Sequence, residues 1–238
     1  MKQRKFLEAE WRKLLMANYV VDPAVLKGYL PAGTELDLWE GRCYISLVGF
    51  LFQNVRVRGI TFPFHKNFPE VNLRFYVRFK EGPEWKRGVV FIKEIVPKWP
   101  ITFIANTLYD EHYATMPMRA VFRNEGNLVT VAYEWKKKNK WNRLEVTADK
   151  DPVPIAKGSE EEFITEHFWG YSARGKDKTT EYHVSHPRWD IYPLNSYRID
   201  CDFRSVYGDA FSFLQEEKPV SVFLAEGSEV SVYTKKAL

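Results

Sequence analysis

Cysteine is scarce in this sequence. Cys43 and Cys201 are the only two among 238 residues, and each lies in a stretch typical of a strand. Two cysteines exclude a disulfide-rich framework, and their positions favour buried free thiols over a disulfide or a metal site. Free thiols fit a reducing compartment, so we predict a cytoplasmic protein.

Long apolar runs are also missing. No segment of about 18 or more apolar residues is present, which is the length that a membrane-spanning helix needs. The first residues lead into the charged side chains of Glu8, Glu10, Arg12 and Lys13 rather than into the apolar core of a signal peptide. We therefore expect a protein that neither spans a membrane nor is secreted.

The sequence has little excess charge of either sign. Its 35 basic and 31 acidic residues leave a net charge of +4. This excess is small for a protein that neutralises phosphates, so no nucleic acid is predicted as a partner. Trp135 to Arg143 combines aromatic and basic residues like a single-strand-binding platform, but a solvated hairpin tip is the favoured interpretation. The oligomeric state stays open.

Several motifs that mark enzyme classes are absent. The chain has no G-x-G-x-x-G, P-loop, H-E-x-x-H, G-x-S-x-G or C-x-x-C, which weakens these classes without excluding enzymes in general. No cofactor is predicted. His183 and His186 are three apart, so a regular strand would point them to opposite faces and away from a shared metal ion.

The pattern of strands and turns predicts one mainly β domain over residues 1–238. No repeat or Gly/Ser linker divides the chain, and 45% hydrophobic residues can form one large core. Strands are predicted at 12–21, 35–38, 43–52, 71–79, 88–96, 118–122, 128–135 and 141–148. Helices are predicted from Asp22, from Pro100 and from Ser159, whose Glu162 completes a capping box. The predicted class is α+β, mainly β, with antiparallel sheets and two or three short helices.

Two predicted strands carry charged residues among apolar ones. Between Val71 and Phe79, Arg74 and Tyr76 alternate with apolar residues and share one face. Between Gly88 and Val96, regular alternation puts Glu94 beside Val90, Ile92 and Val96, and Lys93 beside Val89, Phe91 and Ile95. A carboxylate among such neighbours is costly to bury alone. Glu94 is therefore predicted either to pair with a cation such as Arg74 or to line a pocket, and both remain open.

A cluster of titratable residues follows the second predicted helix. Tyr109, Asp110, Glu111, His112 and Tyr113 are consecutive. Functional residues are often carried by loops on a rigid scaffold, although loops are generally polar. The candidate pocket residues are therefore Arg74, Tyr76, Lys93, Glu94, Tyr109 and His112, without an assigned catalytic residue.

Short segments along most of the chain resemble the uncharacterised YqjF-like family. They are Phe6–Arg12, Met16–Tyr19, Val21–Pro23, Leu30–Asp37, Tyr44–Phe50, Glu70–Arg74, Gly88–Phe91, Phe163–Glu166 and His186-Pro187-x-Trp189. No activity is assigned to this family, so the resemblance implies none for this chain. It is grouped with the acetoacetate decarboxylases, and that resemblance implies an acetoacetate-decarboxylase-like fold, in which closed, barrel-like, mainly antiparallel sheets surround a buried pocket.

The same resemblance bears on chemistry. Acetoacetate decarboxylases use a lysine that forms a Schiff base with a keto acid, its pKa lowered by a second lysine and an apolar site. Lys93 and Glu94 look like the basic and acidic pair that precedes those lysines, but residues 109–116 contain no lysine. We therefore predict that this decarboxylation is absent, unless Lys93 or Lys98 substitutes.

The leading functional hypothesis is a protein that binds a small polar or keto-acid-like metabolite in a buried pocket. An enzyme that uses Glu94 or His112 as general acid or base on a keto acid, keto ester or lactone is the first alternative. A non-catalytic protein-interaction domain is the second.

Overall fold

A computed structural model describes residues 4–102, 106, 112–175 and 177–238. Most of them lie in strands. In chain order these are β1 (Lys5–Val20), β2 (Thr34–Leu36), β3 (Tyr44–Val57), β4 (Phe68–Glu81), β5 (Glu84–Val96), β6 (Tyr113–Thr115), β7 (Met118–Glu125), β8 (Leu128–Lys137), β9 (Lys140–Asp149), β10 (Val153–Pro154), β11 (Trp169–Ala173), β12 (Thr179–Ser185), β13 (Asp190–Tyr192), β14 (Leu194–Asp200), β15 (Ser221–Tyr233) and β16 (Lys236–Ala237).

Short helices connect some of these strands. They are α1 (Pro23–Leu26), α2 (Glu160–Thr165) and α3 (Phe203–Tyr207), with 3-10 turns at Lys27–Tyr29 and Asp209–Gln215 and helical backbone at 99–102. The predicted N-caps are confirmed, since Asp22 accepts from the Ala24 N–H at 2.8 Å and Ser159 from the Glu162 N–H at 3.2 Å. The capping box is not completed as predicted, because the Glu162 carboxylate accepts from the Gly158 N–H instead of the Ser159 N–H. None of the described helices combines the length and the apolar character that crossing a membrane requires.

The larger sheet closes on itself. β15, β1, β3, β4, β5, β11 and β12 are hydrogen-bonded in that order, and β12 returns to β15 through the pairs Val184–Val232 and Ser185–Ser231. Its pairs are antiparallel except β5–β11 and β5–β6, which are parallel. The predicted fold class, mainly antiparallel and closed with a few short helices, is confirmed.

A second, antiparallel sheet of β14, β9, β8 and β7 covers one face of the closed sheet, which is called the ring below. Leu47 and Leu73 of the ring pack with Val131 and Tyr133 of the second sheet in one apolar core. The other face of β3 and β4 contributes to a separate core cluster. β3 is therefore a central strand with both faces apolar, and the predicted buried free thiols of both cysteines are confirmed.

The predicted β8–β9 hairpin is present, but its strands extend further toward the tip than predicted, to the pair Lys137–Lys140. Trp135 is fully buried in the core, however, and only Trp141 reaches the surface. A buried ring cannot stack on a base. The aromatic platform considered for Trp135 to Arg143 therefore lacks one of its two rings.

The predicted faces of β5 are wrong at their C-terminal end. Leu73 pairs with Lys93, but the next residue of β4, Arg74, pairs with Phe91, so Ile92 is an extra residue in the ladder. Such a β-bulge puts every later side chain on the opposite face from regular alternation. Glu94 consequently shares its face with Phe91, and Lys93 points toward the core shared with the second sheet.

Candidate functional site

The ring encloses a cavity of about 250 Å³. Each strand of the ring contributes side chains to its wall, so the cavity lies inside the ring. Most of the wall is apolar and largely aromatic, and representative residues are Trp11, Phe50, Phe52, Phe68, Phe91 and Trp169. Phe62, which is half exposed, also lines it and marks a point where the cavity meets the surface.

Polar side chains enter this apolar wall from β4 and β5. Glu70, Asn72 and Arg74 alternate along β4, so all three face the cavity. Glu94 of β5 lies opposite Asn72 in the ladder and is only 3% exposed. The bulge at Ile92 turns Glu94 to this side. Without the bulge, the register of the earlier part of β5 would continue and Glu94 would face the second sheet.

Glu70 is held by two hydrogen bonds. Its carboxylate accepts from Asn72 Nδ2 and from the Tyr113 hydroxyl, each at 3.0 Å, and the residue is 2% exposed. Burial raises the pKa of Glu70 to about 7, against the opposing effects of both hydrogen bonds and of the Arg74 charge. A carboxyl group that titrates near neutral pH can both accept and release a proton under physiological conditions.

Arg74 is a buried cation without a carboxylate partner. It is 9% exposed, its guanidinium lies 5.7 Å from the Tyr76 ring, and Nη2 lies 3.8 Å from Met16 Sδ. Among the described residues it forms no ion pair, and its Nε has no hydrogen-bond partner. The predicted pairing of Glu94 with Arg74 is therefore not formed, and Glu94 instead lines the cavity.

His167, which the sequence analysis missed, also lines the cavity. Its Nε2 lies 3.1 Å from Asp37 Oδ2, and Arg87 Nε donates to the same oxygen at 2.6 Å. Burial lowers the pKa of His167 to about 4, so its ring is neutral at pH 7. Burial would raise the pKa of Asp37, but the hydrogen bonds from His167 and Arg87 hold it below its usual value.

The structure brings together some of the predicted pocket residues and separates others. Arg74 and Glu94 line the cavity, and Tyr76 lies beside it, with its hydroxyl 2.7 Å from Ser46 Oγ. Lys93 lies on the opposite face, where its ammonium donates to the Val206 carbonyl. His112 is exposed, although its carbonyl accepts from the Glu94 N–H at 3.2 Å.

Tyr109 lies outside the described residues. Lys98, considered above as a substitute nucleophile, donates to the Phe64 carbonyl instead of entering the cavity. Among the cavity-lining residues that the structure describes, none is a lysine. Among all residues that the structure describes, no group of three or more His, Cys, Asp or Glu side chains is placed to hold a metal ion.

Two of the missed residues had different signals in the sequence. Glu70 continues the alternation of Asn72, Arg74 and Tyr76 by one more step, so a longer predicted strand would have included it. His167 directly follows α2, and no periodicity distinguishes it. Its partner Asp37 is 130 positions away, which only the tertiary structure reveals.

Solved structures with the same fold extend over nearly all of the chain. Acetoacetate decarboxylase from Legionella pneumophila has a TM-score of 0.66 at 12% identity, over 98% of this chain and 87% of that one. An acetoacetate decarboxylase-like enzyme from Sphingomonas wittichii has a TM-score of 0.67 at 14% identity, over 99% of this chain and 94% of that one. The enduracididine biosynthesis enzyme MppR, complexed with the condensation product of pyruvate and imidazole 4-carboxaldehyde, has a TM-score of 0.67 at 13% identity, over 100% and 90%. These likenesses establish the acetoacetate-decarboxylase-like fold.

Sequence comparison identifies the family. The uncharacterized protein YqjF of Bacillus subtilis is 31% identical over 130 residues, which are 54% of this chain and 50% of that protein. The match thus spans about half the length of this curated relative. The DUF2071 family, described as an uncharacterized conserved protein, matches residues 8–229. The predicted YqjF-like resemblance is confirmed, and the chain belongs to the DUF2071 family.

Proposed function

We propose that this protein binds a small organic acid, of the size of a keto acid with a short apolar body, in the cavity of the ring. The observation that carries the proposal is Arg74, a guanidinium more than nine-tenths buried on the cavity wall without an ion pair among the described residues. Burying an unpaired charge costs several kcal/mol. A carboxylate bound against the planar guanidinium would compensate that cost with charge-assisted hydrogen bonds.

The remainder of the wall suits the body of such a ligand. Aromatic side chains dominate it, and a few polar groups are concentrated on β4 and β5, which is the usual composition of a metabolite site. A volume of about 250 Å³ lies just below the range of roughly 300–1,000 Å³ that is common for ligand pockets, so the ligand is small. Structural neighbours include an enzyme complexed with a pyruvate-derived product, which supports a small acid.

The first prediction concerns Arg74 and tests the proposed function directly. The probe ligand is γ-phenylbutyrate, a carboxylate with a short apolar body. Arg74→Met keeps the length of the side chain and removes its charge, so the dissociation constant for this probe should increase by about tenfold or more. Isothermal titration calorimetry would measure it. Arg78→Met is the matched control, because Arg78 lies on the same strand but pairs with Glu35 outside the cavity.

Arg78→Met should bind γ-phenylbutyrate as tightly as the wild type. A thermal unfolding curve for each variant establishes that both are folded. Equal affinities of the wild type and Arg74→Met would contradict the proposed carboxylate site. Failure of the folded wild type to bind any of several small organic acids would contradict the function itself.

We further propose that the Schiff-base route of the acetoacetate decarboxylases is not used. Supporting this, Lys93 and Lys98 each donate to a backbone carbonyl outside the cavity, and residues 103–116 contain no lysine. Without an amine in the cavity no imine with a keto acid can form there.

The second prediction tests this point. Borohydride reduces an imine to a stable amine, so incubation with acetoacetate and borohydride should add no mass to the protein in intact mass spectrometry. An acetoacetate decarboxylase treated in parallel serves as the positive control. A reduced adduct on Lys93 or Lys98 would overturn the proposal.

An enzymatic role remains the alternative, and one observation favours it. Glu70 has a pKa of about 7 and lies on the same wall as Glu94, so the cavity contains a carboxyl group suited to general acid–base chemistry. Of the two residues predicted for this role, Glu94 lines the cavity, whereas His112 is exposed.

A further inference from the structure

One nitrogen of the cavity-lining histidine is without a hydrogen bond. His167 is 8% exposed, and its Nδ1 is buried without a partner among the described residues. A buried acceptor that is left unsatisfied destabilises the folded protein, so a group that supplies a donor would be favoured at this position.

The protonation of the ring follows from its neighbour. Asp37 is ionised and can only accept, so the His167 proton lies on Nε2 and is donated to Asp37 Oδ2. Arg87 donates to the same oxygen and keeps the carboxylate in place. Nδ1 therefore carries a lone pair, and a ligand must donate a proton to satisfy it.

Packing holds this ring next to the proposed carboxylate site. The His167 ring lies 4.8 Å from Tyr76 and 5.0 Å from Phe163, measured between ring centroids. The Arg74 guanidinium lies 5.7 Å from the same Tyr76 ring. Arg74 and His167 thus both lie close to the Tyr76 ring, and both line the same cavity, so one small ligand can contact the two side chains.

We propose that the ligand is an α-hydroxy acid, whose hydroxyl donates to His167 Nδ1 while its carboxylate is held by Arg74. The inference rests on the proposed function and narrows it. An α-oxo acid of the same shape would present a carbonyl oxygen to Nδ1, so that two acceptors face each other. A site that hydrogen-bonds a hydroxyl discriminates strongly against an analogue without that donor.

The experiment compares four matched acids by isothermal titration calorimetry. They are γ-phenylbutyrate, its α-oxo derivative and the two enantiomers of its α-hydroxy derivative. The wild type should bind one hydroxy enantiomer about tenfold or more tightly than the oxo acid. His167→Phe keeps the ring packing and removes the acceptor, so this preference should disappear while γ-phenylbutyrate still binds.

His186→Phe is the matched control. His186 is a partly buried histidine stacked among aromatic rings, with its ring centroid 4.2 Å from that of Trp189, but it is not part of the cavity wall. This variant should retain the preference for the hydroxy acid. The preference of the wild type for the hydroxy acid over the oxo acid is measured without any variant, so the inference remains testable even if His167→Phe does not fold.

The outcomes separate this inference from the proposed function. Binding of γ-phenylbutyrate with equal or tighter binding of the oxo acid would overturn the inference and leave the acid site intact. A hydroxy preference that persists in folded His167→Phe would overturn it as well. No binding of any of the acids would overturn both.

Discussion

Burial determines the chemistry of the individual polar residues in the cavity. Glu70 and His167 are ordinary titratable side chains, yet burial moves their pKa values to about 7 and about 4, in opposite directions. In both cases the neutral form is favoured, because a low-dielectric surrounding disfavours charge. Around neutral pH, Arg74 therefore shares the cavity wall with a neutral imidazole and with a carboxyl group whose pKa is raised toward neutrality.

The raised pKa of Glu70 has a consequence for stability. The folded protein holds a proton on Glu70 up to about pH 7, whereas the unfolded chain releases it near its ordinary value of 4.5. The stabilisation is therefore complete below pH 4.5 and is lost as the pH rises through 7.

The third prediction follows at this scale. Glu70→Gln has no proton to release, so it should be more stable relative to the wild type at pH 8 than at pH 5, by up to about 3 kcal/mol. Urea unfolding at the two pH values measures this difference. Glu84→Gln, at an exposed position, is the control and should change the free energy of unfolding equally at the two pH values. An equal effect of Glu70→Gln at pH 5 and pH 8 would show that Glu70 does not titrate as described.

At the scale of the elements, strand alternation predicted faces correctly wherever the ladder is regular. Arg74 and Asn72 share the cavity face of β4 as expected. The prediction failed in β5, because the bulge at Ile92 exchanges the faces of Lys93 and Glu94. A bulge adds one residue to one strand, and its position depends on pairing with β4 rather than on the sequence of β5 alone.

The parallel pairing of β5 with β11 depends on a close backbone approach. Trp169 pairs with Gly88, and a Cβ atom on Gly88 would lie 2.5 Å from the Trp169 carbonyl oxygen. No rotation of a side chain can relieve this contact, because the neighbour is backbone. Glycine at this position lets β11 join the ring.

The fourth prediction is that Gly88→Ala lowers the free energy of unfolding by about 1–3 kcal/mol, the usual cost of overpacking a filled site. Gly28→Ala is the control, since a Cβ there would meet no atom within 4 Å. Urea unfolding monitored by tryptophan fluorescence compares the two variants. A Gly88→Ala protein as stable as Gly28→Ala would indicate that β11 can shift without cost.

At the scale of the whole molecule, ring closure assembles the site from distant parts of the chain. Asp37, Arg87 and His167 meet although they belong to separate segments. Glu70 and Tyr113 are 43 positions apart and share a hydrogen bond. Local patterns carry no information about such contacts, because they arise only when β5, β11 and β12 close the sheet.

The sequence by itself determined the class of the fold, the α1 and α2 N-caps, the free buried cysteines and the family. The fold class and the caps follow from local periodicity and capping chemistry, which act within a few residues, whereas the family follows from the resemblance of short segments along the chain. The tertiary structure alone decided which charged groups face the cavity, that Lys93 does not, and that His167 does. Those outcomes depend on a bulge and on ring closure, where pairing between distant strands sets the direction of each side chain.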